Sequence, residues 1–265
     1  MDPIATFKEN ARQGWVTFTP FETLTALAAP RLVKFAGVKP GARVLDVACG
    51  TGVVAITAAR AGAHVTGSDL TPELIERAKE NAKLARVEIE LSVADVEELP
   101  YADATFDAVL SQFGHMFAPR PDVAVREMLR VLKPGGTIAF TTWPPELFTG
   151  RMFALLGKYA PPPPPGVSPP PLWGDPNFVR EKLGTAVKSL AFERDEIRAP
   201  NLSVPHLRAS FEANVGPIGK LCAALAASDP AKLATLRGEL EALMEEYFEN
   251  NALRQNFLVS RAVKA

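Results

Sequence analysis

The sequence predicts an α/β domain built on a largely parallel sheet, on three observations. Over residues 43–143 short β-branched runs alternate with helical patterns, the signature of βαβ units. The first strand-like run enters the first helix through a glycine-rich turn, DVACGTG. Acids stand at or near the ends of three successive strands, as Asp46, Asp69 and Asp95.

Taken in order, RVLDVA predicts a strand, VVAITAARA a helix and AHVTGSD the next strand. TPELIERAKENAKLA is a helix with Thr71 at the N-cap and Pro72 at the first helical position. Glu73 adds negative charge in its first turn, where the helix dipole favours it. RVEIELSVAD alternates as a strand and FDAVLSQF is a short apolar one. PDVAVREMLRVL is a helix, and PGG turns the chain into the strand TIAFTTW. After Trp143 the pattern breaks. A helix over 147–159 runs into two proline blocks, which predict an extended, stiff tether packed over the domain; a ligand for a proline-recognition module is the alternative. DPNFVREKLG is a helix with Asp175 at the N-cap. VKSLAFERDEIRA and NALRQNFLVSRAVKA read as strands, with a helical segment over 204–250 between them.

The chain has 265 residues, 47% hydrophobic and 22% charged, which suits a globular protein with a sizeable core. A net charge of −1 with no basic run argues against a non-specific grip on nucleic acid or anionic membrane. Two cysteines, Cys49 and Cys222, are too few and too scattered for a disulfide framework or a zinc site. The expectation is therefore no metal and a reducing, cytoplasmic setting. MDPIATFKENARQGW has no signal-type apolar core, and no stretch reaches the ~18 apolar residues of a membrane span.

Glycines in the DVACGTG turn let the backbone approach a ligand, and the helix that follows aims its amides at it. Dinucleotides and S-adenosylmethionine both use such a turn at the carboxyl ends of parallel strands. Gly50, Gly52 and Ala55 also match a degenerate dinucleotide fingerprint, so the glycines alone leave both open. The acids separate them. Asp46 would sit where a dinucleotide site prefers an apolar residue near its pyrophosphate, but a carboxylate there suits a ligand carrying an ammonium and a sulfonium. Asp69 is placed for the two hydroxyls of a ribose and Asp95 for an adenine amino group.

VLDVACGTG, VTGSDLTPELIERA, ADVEELPYADATFDAVLSQFG and EMLRVLKPGGTIAFTTW together resemble the ordered motifs of class I S-adenosylmethionine-dependent methyltransferases. The small-molecule enzymes similar to those of ubiquinone and menaquinone biosynthesis are the nearest subset. The resemblance covers about residues 39–143. Ala48 stands where the family usually has a third glycine, a departure expected to tighten the turn only slightly. The resemblance implies a Rossmann-like seven-stranded sheet with an antiparallel last strand, plus helical cap insertions. It implies that Asp46, Ala48, Cys49 and Gly50 line the methionine part of the cofactor, Asp69 holds the ribose and Leu70 packs on adenine. Asp95 and the amide of Val96 would read the adenine edge, and the carbonyl of Ser111 would meet the cofactor ammonium. The implied organisation is N-terminal lid helices over 1–38 and a cofactor-binding core over 39–143. A proline-rich cap segment spans 144–174, a core helix and strand 175–200, a helical cap insertion 201–250 and the final strand 251–265.

The expected function is methyl transfer from S-adenosylmethionine, leaving S-adenosylhomocysteine, to an O, N, S or C nucleophile of a small organic acceptor. The alternatives are an NAD-dependent oxidoreductase and a non-catalytic cofactor-binding module. In-line displacement needs positioning and exclusion of water, and a base only if the acceptor carries a proton that must leave. His115, in the loop after the fourth strand, is the candidate base, because imidazole titrates near neutrality; His64 and His206 are weaker. Trp15 and Phe18 are candidate lid residues, with Phe113 and Trp143 at the acceptor. Cys49 reads as a packing residue, with no activating base beside it.

Overall fold

Val44, Leu45 and Val47 are wholly buried in β1 (Arg43–Val47), as a strand covered on both faces requires. The computed structural model describes residues 2–265. β1 pairs in parallel with β2 (His64–Asp69) and β4 (Phe106–Gln112), and β2 with β3 (Ile89–Val93). β4 pairs in parallel with β5 (Leu132–Thr142). β6 (Val187–Pro200) and β5 both run antiparallel to β8 (Ala252–Lys264), giving the order β3-β2-β1-β4-β5-β8-β6. The seven long strands and their antiparallel last member match the sequence expectation. A two-residue strand, β7 (Phe248–Glu249), adds an eighth on β8.

The helices are α1 (Pro3–Trp15), α2 (Glu22–Thr25), α3 (Ala29–Ala36), α4 (Val53–Arg60), α5 (Pro72–Ala85) and α6 (Pro121–Val131). They continue with α7 (Phe148–Gly157), α8 (Pro176–Leu183), α9 (Val204–Asn214), α10 (Gly216–Ser228) and α11 (Pro230–Glu245). Among the described residues none is long and apolar enough to cross a membrane. α3 buries Ala29, Leu32, Val33 and Ala36 against α4, β4 and β5, so it packs on the sheet as a core helix, apart from a lid. α5 starts at Thr71 as expected, but by another route. The Thr71 hydroxyl has no partner among the described residues, and Asp69 Oδ1 accepts the Thr71 amide at 2.8 Å.

β6 and β8 outrun the sheet. Residues 195–200 pair with 252–257 past the end of β5, forming a two-stranded ribbon. α9, α10 and α11 are inserted within it and pack with α7 around a second core that includes Phe148, Phe211, Leu236, Leu240, Met244 and Leu253. β7 turns into β8 through Asn250 and Asn251, at φ 52° and 56°. Two left-handed residues form the hairpin turn whose twist matches its strands, and asparagine tolerates it. The sequence reading ran the helical segment through this turn, missing the Asn-Asn signal.

The proline-rich segment ends in a short 3₁₀ turn, Pro170–Gly174, which drives Trp173 into the sheet core. Trp173 meets His115 there, edge to face at 4.7 Å between centroids, with Phe140 4.5 Å away on another side. His115 is fully buried and neither ring nitrogen has a hydrogen-bond partner among the described residues. Burial in this aromatic box lowers its pKa from 6.5 to about 3. An imidazole held neutral among aromatic rings is a packing group. The base role expected of His115 is thereby corrected: the loop after β4 turns its side chain into the core.

Because His115 binds its proton more weakly when folded, the unfolded chain gains protons first as pH falls. Stability is fully present above about 6.5 and is lost toward pH 3. His115→Leu should lose less stability than the wild type between pH 7 and pH 4, read as urea midpoints at each pH. Equal losses in the two proteins would place the imidazole in a solvated, titrating setting.

Candidate functional site

In the order β3-β2-β1-β4-β5 the direction of winding reverses between β1 and β4, which leaves a crevice beyond their carboxyl ends. A cavity of about 240 Å³ occupies that crevice. Ala48, Cys49, Gly50 and Thr51 line it from the loop after β1, and Gln112, Phe113 and Gly114 from the end of β4. Two non-glycine residues stand left-handed here, Ala48 at φ 50° and Phe113 at φ 56°. Each such residue costs about 1–2 kcal/mol. Ala48 therefore strains the turn where the family's glycine would not, a larger effect than the slight tightening expected. Gly114 has no alternative, since a Cβ there would come within 2.5 Å of the Ala48 carbonyl oxygen.

Asp69 closes β2 and sits at the cavity wall. Its Oδ2 accepts the Gly50 amide at 2.9 Å while its Oδ1 holds Thr71. Burial pushes its carboxyl up, against the amides of Thr71 and Gly50, which favour the charged form. Asp46 lies one layer deeper and does not line the cavity, contrary to the contact expected of it. Its Oδ2 accepts the Ala55 amide at 3.0 Å, inside the first turn of α4, and Oδ1 has no partner among the described residues. Burial, with the neighbouring Asp69 charge adding to it, raises its pKa from 3.8 to about 8 despite that bond. The start of α4 thus already holds a carboxyl group. A pyrophosphate gains least from such a helix start, so the arrangement disfavours a dinucleotide.

Asp95 reaches the cavity from the loop after β3. Its Oδ2 takes Lys8 Nζ of α1 at 2.5 Å, and its Oδ1 takes the Glu97 amide at 2.9 Å. Lys8 also meets Glu97, a buried carboxylate whose Oε2 it shares with the guanidinium of Arg120. α1 is thereby clamped across the mouth, with Phe7, Ala11 and Trp15 facing in. Trp15 packs on Phe117 and Phe18, with centroids 4.6 and 5.8 Å away. Leu70 and Val96 complete this end of the wall.

Ser111 is placed differently from the expectation. It is fully buried and absent from the lining, its hydroxyl donating to the Val47 carbonyl and accepting the His115 amide. Its neighbour Gln112 lines the cavity instead, at the end of β4. Phe113 and Trp143 do reach the cavity, with their rings stacked at 3.9 Å. Cys49 also lines it; burial, then the charges of Asp46 and Asp69, raise its thiol well above the usual range, which keeps it an inert packing group. Sequence reasoning missed Lys8, Gln112, Met152, Phe211 and Gln255 in the lining. Gln112 did carry a signal, as a polar residue closing the mostly apolar run FDAVLSQF.

A methyltransferase domain family matches residues 45–140. Two uncharacterised proteins of Mycobacterium tuberculosis are 38% and 36% identical to this chain, each over 92% of it and 89% of their own length. A ubiquinone biosynthesis O-methyltransferase of Xanthomonas campestris is 37% identical over 139 residues, covering 51% of this chain and 58% of that protein. Among solved structures, a Bacillus halodurans protein provisionally assigned as a methyltransferase superposes with a TM-score of 0.60 at 19% identity, covering 89% of this chain and 98% of that one. A Haemonchus contortus phosphoethanolamine N-methyltransferase, bound to S-adenosylmethionine, does so with a TM-score of 0.54 at 20% identity, over 89% of this chain and 52% of that one. The structural likenesses carry the fold. Together with that fold, the match over residues 45–140 shows that this chain carries a domain of the methyltransferase family.

Proposed function

We propose that the protein transfers a methyl group from S-adenosylmethionine to a small organic acceptor held in the crevice at the β1–β4 switch point. The carboxyl of Asp46 on the first turn of α4 carries this reading, because it occupies the helix start that a dinucleotide's phosphate would use. Asp46 Oδ1 and the buried hydroxyl of Thr71, both without a partner among the described residues, add polar capacity near the cavity.

In this reading Asp69 accepts the ribose hydroxyls, while Leu70 and Val96 pack on the adenine. Asp95 and the Val96 amide read the adenine edge, and Ala48, Cys49 and Gly50 border the methionine part. Bound S-adenosylmethionine supplies a methyl carbon already activated by its sulfonium. What remains for the protein is to bind, orient and dry the site. Trp15, Phe18 and Phe117 do the last of these by closing over the cavity with α1. The second core around α7 and α9–α11 forms the acceptor wall, and the acceptor is a small molecule, in keeping with a cavity of this size.

Isothermal titration with S-adenosylhomocysteine tests the reading directly. Asp69→Ala should weaken binding by about 1.5–3 kcal/mol, the scale of hydrogen bonds to a charged group. An unchanged dissociation constant in a variant of wild-type melting temperature would remove Asp69 from the site. Asp46 makes a prediction of opposite sign to that of His115. Its raised pKa means that the folded state holds a proton that the unfolded chain releases, so stability of the ligand-free protein falls as pH rises from about 4 to about 8. Asp46→Asn should flatten that slope in urea titrations at pH 5 and pH 8; parallel slopes would mean an ionised Asp46 throughout. Lys8→Met removes the ion pairs that clamp α1. Stopped-flow release of S-adenosylhomocysteine should then quicken roughly fivefold, the kinetic worth of about 1 kcal/mol. Unchanged release would show that α1 does not gate the cofactor.

A further inference from the structure

The cavity is divided by charge along the sheet. Its charged lining residues are Lys8, Asp69 and Asp95, all over β2 and β3. The half over β4, β5 and the β6–β8 ribbon is walled by Phe18, Phe21, Phe117, Trp143, Phe153 and Phe211. Among the described residues no titratable side chain lines that half, and its polar groups are neutral: Gln112, Thr25, Thr149 and Gln255. Gln112 Nε2 donates to the Thr25 carbonyl at 2.7 Å, which fixes the amide's orientation, since that carbonyl can only accept. Oε1 consequently faces away from Thr25, buried and without a partner among the described residues. A buried acceptor left empty is costly, and a donor on the ligand relieves that cost.

We infer that the methyl acceptor is an uncharged, flat molecule that presents an N–H to Gln112 Oε1, a weakly basic arylamine or a related N–H compound, methylated on that nitrogen without a protein base. This rests on the methyl-transfer reading above. A charged acceptor would be buried against aromatic rings with no counter-charge beside it. A protonated alkylamine has no free electron pair. A neutral hydroxyl is a poor nucleophile without a base, and its anion would face the carbonyl oxygen of Gln112. An unprotonated arylamine meets each condition. Its N–H points to Oε1 while its lone pair attacks the methyl carbon. The N–C bond forms as the C–S bond breaks, and the electron pair of that bond goes to sulfur, leaving a neutral thioether. The methylated anilinium is acidic enough to lose its proton to water unaided. Gln112 binds and orients; it takes no proton.

The test incubates the full chain and S-adenosylmethionine with aniline, phenol, thiophenol, benzylamine or benzoate, with methylated product read by mass spectrometry. Titration with S-adenosylhomocysteine runs in parallel. Transfer to aniline in preference to the other four is expected, at a rate flat from pH 6 to pH 9. Gln112→Met should lower kcat/KM for aniline roughly tenfold or more with the S-adenosylhomocysteine affinity unchanged. Transfer only to phenol, thiophenol or a charged probe, transfer to none, or a Gln112→Met variant as efficient as wild type overturns the acceptor assignment alone. Failure of the wild type to bind S-adenosylhomocysteine overturns the methyl-transfer reading and this inference with it.

Discussion

The carboxylate of Asp69 ties together the loop after β1, through Gly50, and the start of α5, through Thr71. Both amides must converge on one group, and that convergence sets the path of the loop between them. Gly50 and Gly52 turn left-handed to follow it, and Ala48 does the same at a conformational cost. The cost is held by packing, because Gly114 lies so close to the Ala48 carbonyl that neither strand end can relax alone. Strain at such a place belongs to the shaping of a ligand crevice, where a relaxed backbone would close the gap.

Buried titratable groups set the pH limits of this arrangement. Asp46 and His115 are each enclosed, and burial drives both toward their neutral forms. They oppose one another across the pH range, His115 weakening the fold in acid and Asp46 in mild base. A cation arriving above Asp46 would favour its charged form, which links ligand binding to the titration of a buried group. The structure therefore places its electrostatic cost where a ligand can offset it.

A second core sits on a ribbon that the sheet itself does not support. β6 and β8 pair for six residues past the end of β5, and α9, α10 and α11 fill the space above them. The ribbon carries Ile197 and Gln255 into the cavity. One continuous pair of strands thus belongs to the sheet at one end and to the cavity wall at the other, so the two cores cannot be separated by a linker. The charge division of the cavity follows the same line: ionised groups over β2 and β3, aromatic rings and amides over the ribbon side.

Much of the fold was legible in the sequence because its signals are local. The strands from β1 to β5 follow from runs of β-branched residues, and α5 and α8 from Pro72 and Pro176 at their starts. The glycine turn and the acid of Asp69 marked one end of the crevice, since turn chemistry and strand ends are read over a few residues. What tertiary structure alone decided lies at long range. Lys8 meets Asp95 across 87 residues, and Gln112 meets Thr25 across the same separation. No periodicity announces either contact. His115, Ser111 and Asp46 were read from their positions near strand ends, but whether a side chain there faces ligand or core depends on what packs behind it. For His115 that partner is Trp173, delivered by a proline-rich turn 58 residues later. Sequence by itself determined which strands and turns form and where the crevice opens. Tertiary structure decided which side chains reach it, because a side chain's direction follows from the packing of segments that local sequence does not encode.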